Sequence, residues 1–158
     1  MALSVRRVIT GHDTSGRAIV QIDEVSKKVF SGRPGATAFN VWTTEGFPVG
    51  NDGATDAGQR QVGTTLANGT IFRIIEFAPG VAPRNHRTDS IDYIVIMSGE
   101  IDMELDGSVV HLRAGDVMVQ RGTIHNWVNR GTEPCVLAVI LVAAKSAEAG
   151  GKVLNAIG

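Results

Sequence analysis

From residue 70 onward the chain breaks into short runs of alternating apolar and polar positions, with turn residues between them. The segment "EIDMELD" alternates strictly, placing Ile101, Met103 and Leu105 on one face and Glu100, Asp102 and Glu104 on the other. A period of two marks an antiparallel strand with one face buried and the other in water. "TIFRIIEF", "DYIVIMSG", "SVVHLRAG", "DVMVQRG", "HNWVN" and "PCVLAVILV" read as further strands. Asp106-Gly107 is a tight hairpin signal between two of them. Upstream, "SVRRVIT" and "RAIVQID" flank "GHDTSG" as a hairpin with a longer loop, and "ATAFNVWTT" is another strand. Residues 45–63, "EGFPVGNDGATDAGQRQVG", make a polar connection long for a compact domain, of the kind that is mobile or serves as a rim or lid. The tail "AAKSAEAGGKVLNAIG" is expected to be irregular or a short, weak helix. About ten short strands predict an all-β sandwich or barrel, of which the jelly roll is one form.

Composition narrows the partners. The 158 residues, 43% hydrophobic and 20% charged, suit one soluble globular domain and exclude a disordered chain. A core barrel is expected over about 38–142, with N-terminal strands over 5–22 and a tail over 145–158. A net charge of -1 leaves no electrostatic footprint for nucleic acid or an anionic membrane, and "VRR" and "SKK" are short solvated groups. Cys135 is the only cysteine, so no intramolecular disulfide is available, and its apolar setting suits an inert buried thiol. No apolar run reaches the length of a membrane span, and the N-terminus lacks the apolar segment of a secretory signal; a cytoplasmic protein is expected.

Two stretches carry candidate chemistry. In the first, Gly80 is followed after five residues by His86, after one by Thr88, after three by Asp92 and after six by Gly99. The second, "GDVMVQRGTIHNWVN", sets Gly122, His125 and Asn129 in order. Over residues 70 to 142 this frame resembles the cupins. The first motif of that family runs glycine, histidine, histidine, glutamate, glycine, and its second centres on proline, glycine, histidine and asparagine. Thr88 stands where the family has its second histidine, Asp92 where it has glutamate, and Gln120 where it has proline. The resemblance implies a cupin-type jelly roll. It also implies a divalent metal (Fe, Zn, Mn or Ni) held inside the barrel by His86, Asp92 and His125, with Thr88 as a fourth donor.

Residue spacing bears on the same positions. Residues two apart on a strand share a face, which groups His86 with Thr88, Asp92 with Ile94 and Ile96, and His125 with Trp127. Two imidazoles and a carboxylate would suit Fe(II) with positions left open. Alternatively, His86 and His125 are inward polar residues bonded to Asp92 or water, and Asp92 pairs with Arg84 or Arg87. Arg73 interrupts the apolar face of Ile71, Ile75 and Phe77. It either reaches into the barrel to hold a substrate carboxylate or lies on the surface with its stem packed. Tyr93 should point away from Asp92, and His12 and His111 should face solvent. The resulting expectation is a metal-dependent enzyme for a small organic acid, with His86 and Asp92 as catalytic residues. Ile94, Ile96, Met103, Leu105, Trp127 and Arg73 would line its pocket. A non-catalytic binder of small molecules and a metal-free acid–base enzyme are the alternatives. A homodimer is expected, through the N-terminal hairpin and the apolar "PCVLAVILVAA".

Overall fold

The computed structural model describes residues 3–26 and 28–158. Its strands are β1 (Arg6–His12), β2 (Ala18–Val25), β3 (Phe30–Arg33), β4 (Ala36–Glu45), β5 (Gly69–Phe77), β6 (Ser90–Ser98) and β7 (Glu100–Leu105). They continue as β8 (Ser108–Arg113), β9 (Val117–Arg121), β10 (Asn126–Val128), β11 (Cys135–Ala143), β12 (Ala147–Ala149) and β13 (Lys152–Leu154). A six-stranded antiparallel sheet in the order β3-β4-β5-β11-β6-β9 faces a three-stranded sheet in the order β10-β7-β8. This is the jelly-roll sandwich that the alternation predicts.

The side-chain pattern of each strand follows its place. β6 buries Ser90, Asp92, Ile94 and Ile96 and exposes Tyr93, Val95 and Met97, because its outer face meets water. β5 is apolar on both faces because both are covered. Ile71 and Phe77 enter the core between the sheets with Ile94, Ile101, Trp127 and Leu137. On the opposite face Ile74 joins Phe39, Val41 and Leu3 in a second cluster, against which Val5, Ile9 and Phe72 pack. The N-terminal hairpin thus closes the outer face of the large sheet. Its Arg7, almost fully buried, donates to Glu24 Oε1 and to Asp56, whose carboxylate caps the 3-10 turn Ala57–Gln59 inside the long connection. The connection is therefore clamped to the hairpin, and Val62 at its end packs on the central core.

Two expectations are corrected here. The tail is not helical: β12 and β13 form a hairpin turned by Gly150 and Gly151, with φ of 58° and 72°. Two adjacent glycines in the left-handed region suit a turn and weaken a helix. The apolar "PCVLAVILVAA" is not a free edge, since β11 is hydrogen-bonded to β5 on one side and β6 on the other.

Gly99 joins β6 to β7 with φ of 73°, and a Cβ there would lie 2.5 Å from Pro134 O and 2.9 Å from the Cys135 Cα. Both are backbone atoms and neither can step aside. Gly99→Ala is expected to cost about 2–4 kcal/mol, from left-handed strain plus overpacking. Urea unfolding checks this, and a loss below about 1 kcal/mol would contradict the assignment.

Candidate active site

A cavity of about 120 Å³ opens between the two sheets, lined by apolar side chains that include Ile75, Phe77, Ile94, Trp127 and Leu137. That volume holds several water molecules or the reacting end of a small organic molecule. Its polar wall is built from three backbone segments.

The first segment, residues 84–88, lies outside the named strands and is held by two antiparallel bridges, His86 with His125 and Arg87 with Ile157. His86 and His125 face each other as an antiparallel bridge, each amide donating to the other's carbonyl at 3.0 and 2.9 Å. That pairing fixes both imidazoles side by side, with ring centroids 4.2 Å apart. His86 Nδ1 donates to Arg84 O at 3.1 Å and His125 Nδ1 to Thr123 O at 3.0 Å. Both rings therefore carry their proton on Nδ1 and their lone pair on Nε2. Trp127 sets its plane across His125 at 82°, and Phe77 stacks on Trp127.

The second segment is the start of β6. The sequence places Thr88, Ser90 and Asp92 on one face, and all three are buried. Ser90 Oγ donates to Asp92 Oδ1 at 2.6 Å and lies 2.9 Å from Thr88 Oγ1. Asp92 makes no ion pair with Arg84 or Arg87, so that alternative does not hold. The third segment is β9, whose Gln120 stands opposite Asp92 in the ladder. The Gln120 amide nitrogen donates to His125 Nε2 at 3.1 Å and also touches Nδ1.

Burial shifts the titration of all three groups. Asp92 is pushed above the usual carboxylate range by burial, which the Ser90 hydroxyl only partly offsets. Burial likewise lowers His86, and drives His125 down to about 4 with help from the His86 charge. The cavity thus holds one carboxyl and two imidazoles, each displaced toward its neutral form.

Arg73 resolves toward the barrel. It is nearly fully buried, donates to Asn40 Oδ1 and Gly63 O at 2.8 Å each, and lies 5.1 Å from the Phe30 ring centre. Burial and the Arg84 charge lower it to about 10. Ile94 and Trp127 line the cavity as expected, but Ile96, Met103 and Leu105 do not. Ile96 and Met103 are packed in the central core and Leu105 rests against it, because the small sheet closes tightly over that end of β6 and β7. Tyr93, His12 and His111 are exposed; His111 Nδ1 bonds Asp102. The sequence reading does not single out Ser90 or Arg33, and it names Arg84 only as a possible partner of Asp92. Ser90 was available from the two-residue spacing, while Arg33 reaches the cavity only because β3 pairs with β4.

The donor set decides how well a metal fits. Among the described residues no three His, Cys, Asp or Glu side chains are grouped closely enough to hold a metal ion. His86 and His125 supply two nitrogens, but Gln120 covers Nε2 of His125 and Asp92 is turned to Ser90. Thr88 offers only a neutral hydroxyl. The three-ligand centre of His86, Asp92 and His125 is not assembled by this geometry.

A family profile described as a cupin domain matches residues 73–142. A cupin-domain-containing oxidoreductase, fogC, of Aspergillus ruber is 34% identical over 94% of this chain and 77% of its own. The chain belongs to the cupin family. Phomopsin biosynthesis cluster protein C' of Diaporthe leptostromiformis is 36% identical over 96% of this cupin and 85% of its own length. The solved structure of the polyketide cyclase RemF from Streptomyces resistomycificus covers 72% of each chain with a TM-score of 0.51 at 16% identity, a likeness of fold alone. No helix among the described residues is long and apolar enough to cross a membrane.

A pH prediction follows from the imidazoles. With His125 at about 4 in the fold and 6.5 as its ordinary value, the native state binds fewer protons than the unfolded chain between those limits. Stability should therefore fall as pH drops from 6.5 to 4, by up to about 3 kcal/mol from this residue, with His86 adding in the same direction. Unfolding in chelator-treated buffer at pH 7 and pH ~4.5 measures the drop, which His125→Asn should reduce. An equal drop in both proteins would contradict it.

Proposed function

We propose that this cupin is an enzyme acting on a small organic molecule by proton transfer within the barrel. The observation that carries the reading is the desolvated trio of Asp92, His86 and His125 in one apolar cavity, all displaced toward neutrality. A neutral carboxyl can donate and a neutral imidazole can accept at the same pH, which is what a paired acid and base require. His86 is the base, because its Nε2 lone pair has no bonded partner, whereas that of His125 accepts from Gln120. Asp92 is the acid, its carboxyl held by Ser90. The reaction class this supports is removal of a proton from carbon beside a carbonyl, with Asp92 protonating the carbonyl oxygen as the enol forms. Keto–enol isomerisation and elimination of water β to a carbonyl both begin with that step. Trp127, Phe77 and Ile94 exclude water from it.

The experiment is deuterium wash-in from D₂O, followed by proton NMR, on a panel of keto and aryl ketone compounds. It detects proton abstraction without knowledge of the product. Loss of a carbon-bound proton signal that depends on the protein supports the reading; no exchange across the panel counts against it.

A second reading is a redox metalloenzyme, favoured by the Nδ1–carbonyl bonds that present both imidazoles in the tautomer used by metal ligands. The name oxidoreductase borne by several relatives points the same way. In that case His86 and His125 would hold the divalent metal and Asp92 would have to turn from Ser90 to join them. The bound metal would supply Lewis-acid or oxygen chemistry.

A further inference from the structure

Five of the chain's eleven arginines are held in ion pairs. Arg6, Arg7, Arg17, Arg60 and Arg130 each lie within 3.0 Å of a carboxylate oxygen. Arg33, Arg73 and Arg84 are different. All three line the cavity, which sets them apart from the unpaired arginines outside it, and among the described residues Arg33 and Arg73 pair with no Asp or Glu side chain. Where they bond, it is to an amide, hydroxyl or main-chain oxygen. Arg73 is tied to Asn40 and the Gly63 carbonyl, and Arg84 Nη2 to Thr64 Oγ1 at 3.3 Å and Gly158 O at 2.7 Å. Arg33 Nη1 is buried with no hydrogen-bond partner at all, while its guanidinium lies 5.5 Å from the Phe77 ring centre.

Arg73 is buried and Arg33 and Arg84 are half-buried, with Nη1 of Arg33 covered and unpartnered; cations under such cover are costly without an anion and repel one another. The repulsion registers between them: the Arg84 charge adds to burial in lowering both Arg33 and Arg73. The one carboxyl lining the cavity, Asp92, is bonded to Ser90 and makes no ion pair with any of the three, so it does not neutralise them. What is missing from the arrangement is an anion.

We propose that Arg33 and Arg73, with Arg84 beside them, form the anion-binding end of the cavity and commit it to a substrate bearing a carboxylate on an apolar, aromatic-sized body. Two parallel N–H groups of a guanidinium match the two oxygens of a carboxylate. Ile75, Phe77, Leu137 and Trp127 match the body. The proposal names the substrate class for the acid–base site above and rests on that cavity being the substrate site, but it is tested by binding alone.

The test uses the Trp127 neighbourhood as reporter, by tryptophan fluorescence with calorimetry as a check, and three probes: benzoate, its neutral isostere benzamide, and inorganic phosphate. Benzoate should bind about 10- to 100-fold tighter than benzamide. Arg33→Met should remove most of that preference, and Arg33→Lys should restore part of it. Arg33→Met should leave the unfolding midpoint unchanged or raised, since it removes an unpaired buried donor. Equal binding of benzoate and benzamide, or no loss in Arg33→Met, would overturn the proposal. Phosphate binding as tightly as benzoate would overturn the carboxylate class. Benzoate preference without deuterium exchange in any acid would leave this inference standing and sink the proton-transfer reading. Exchange in neutral ketones at the same rate as in their carboxylate counterparts would do the reverse.

Discussion

Asp92→Asn is expected to lower deuterium exchange by about 10²- to 10⁴-fold, the range that a positioned acid contributes. The substitution is nearly isosteric, and its amide oxygen can still accept from Ser90 Oγ, so the wall of Thr88, Ser90 and residue 92 stays in place. What it loses is the transferable proton. A collapse of the fold would imitate this result, and stability separates the two. Burial raises the Asp92 carboxyl above its ordinary value of 3.8, so the native state binds more protons than the unfolded chain between 3.8 and the raised value. Wild-type stability therefore falls as pH rises through that window, and the fall stays in force at neutral pH. The asparagine variant does not suffer it. It should unfold at equal or higher denaturant than wild type at pH 7 while exchanging far more slowly. Exchange within about threefold of wild type would remove Asp92 from the acid's role.

The largest effect on stability is expected at the outer face of the large sheet, away from the cavity. Phe39→Ala should cost about 3–5 kcal/mol, the usual range for deleting a fully buried aromatic ring. Phe39 is 1% exposed and sits with Val41, Ile74 and Leu3 between β4, β5 and the N-terminal hairpin. The hairpin has a second attachment, the ion pairs of Arg7 with Glu24 and Asp56, which hold it to the long connection. Losing the ring should therefore loosen residues 3–26 without detaching them, and amide exchange should rise in β1 and β2 before it rises in β11. A loss under about 1.5 kcal/mol would mean that the second cluster contributes little to the fold.

Much of this was legible in the chain itself. Period-two alternation placed β6 and β7 face by face, because a strand with one wet face must alternate. The same rule grouped Asp92 with Ile94 and His125 with Trp127, and all four line the cavity. The spacing from Gly80 to Gly99, and from Gly122 to Asn129, carried the family. Other features were not legible, for identifiable reasons. β12 and β13 are three residues each, too short for any period to register. The direction of Arg73 depended on which face of β5 meets the small sheet, and both faces of that strand are apolar because both are covered. Gln120 stood out only as a departure from a proline. That its amide would lie against His125 depends on the pairing of β9 with β6, a contact between residues far apart in the motif order. Arg33 gave no local signal at all, since its role arises from β3 closing the edge of the sheet beside the cavity.

The central claim is that the barrel's chemistry runs on its own titratable groups and not on a three-ligand metal centre. It is tested most directly by measuring deuterium exchange and metal content on the same protein, before and after chelation. Metal well below one equivalent, with exchange unchanged after chelation and lost in Asp92→Asn, is the predicted result. One equivalent of metal, with exchange abolished by chelation and restored by Fe(II), Mn²⁺, Ni²⁺ or Zn²⁺, would contradict it.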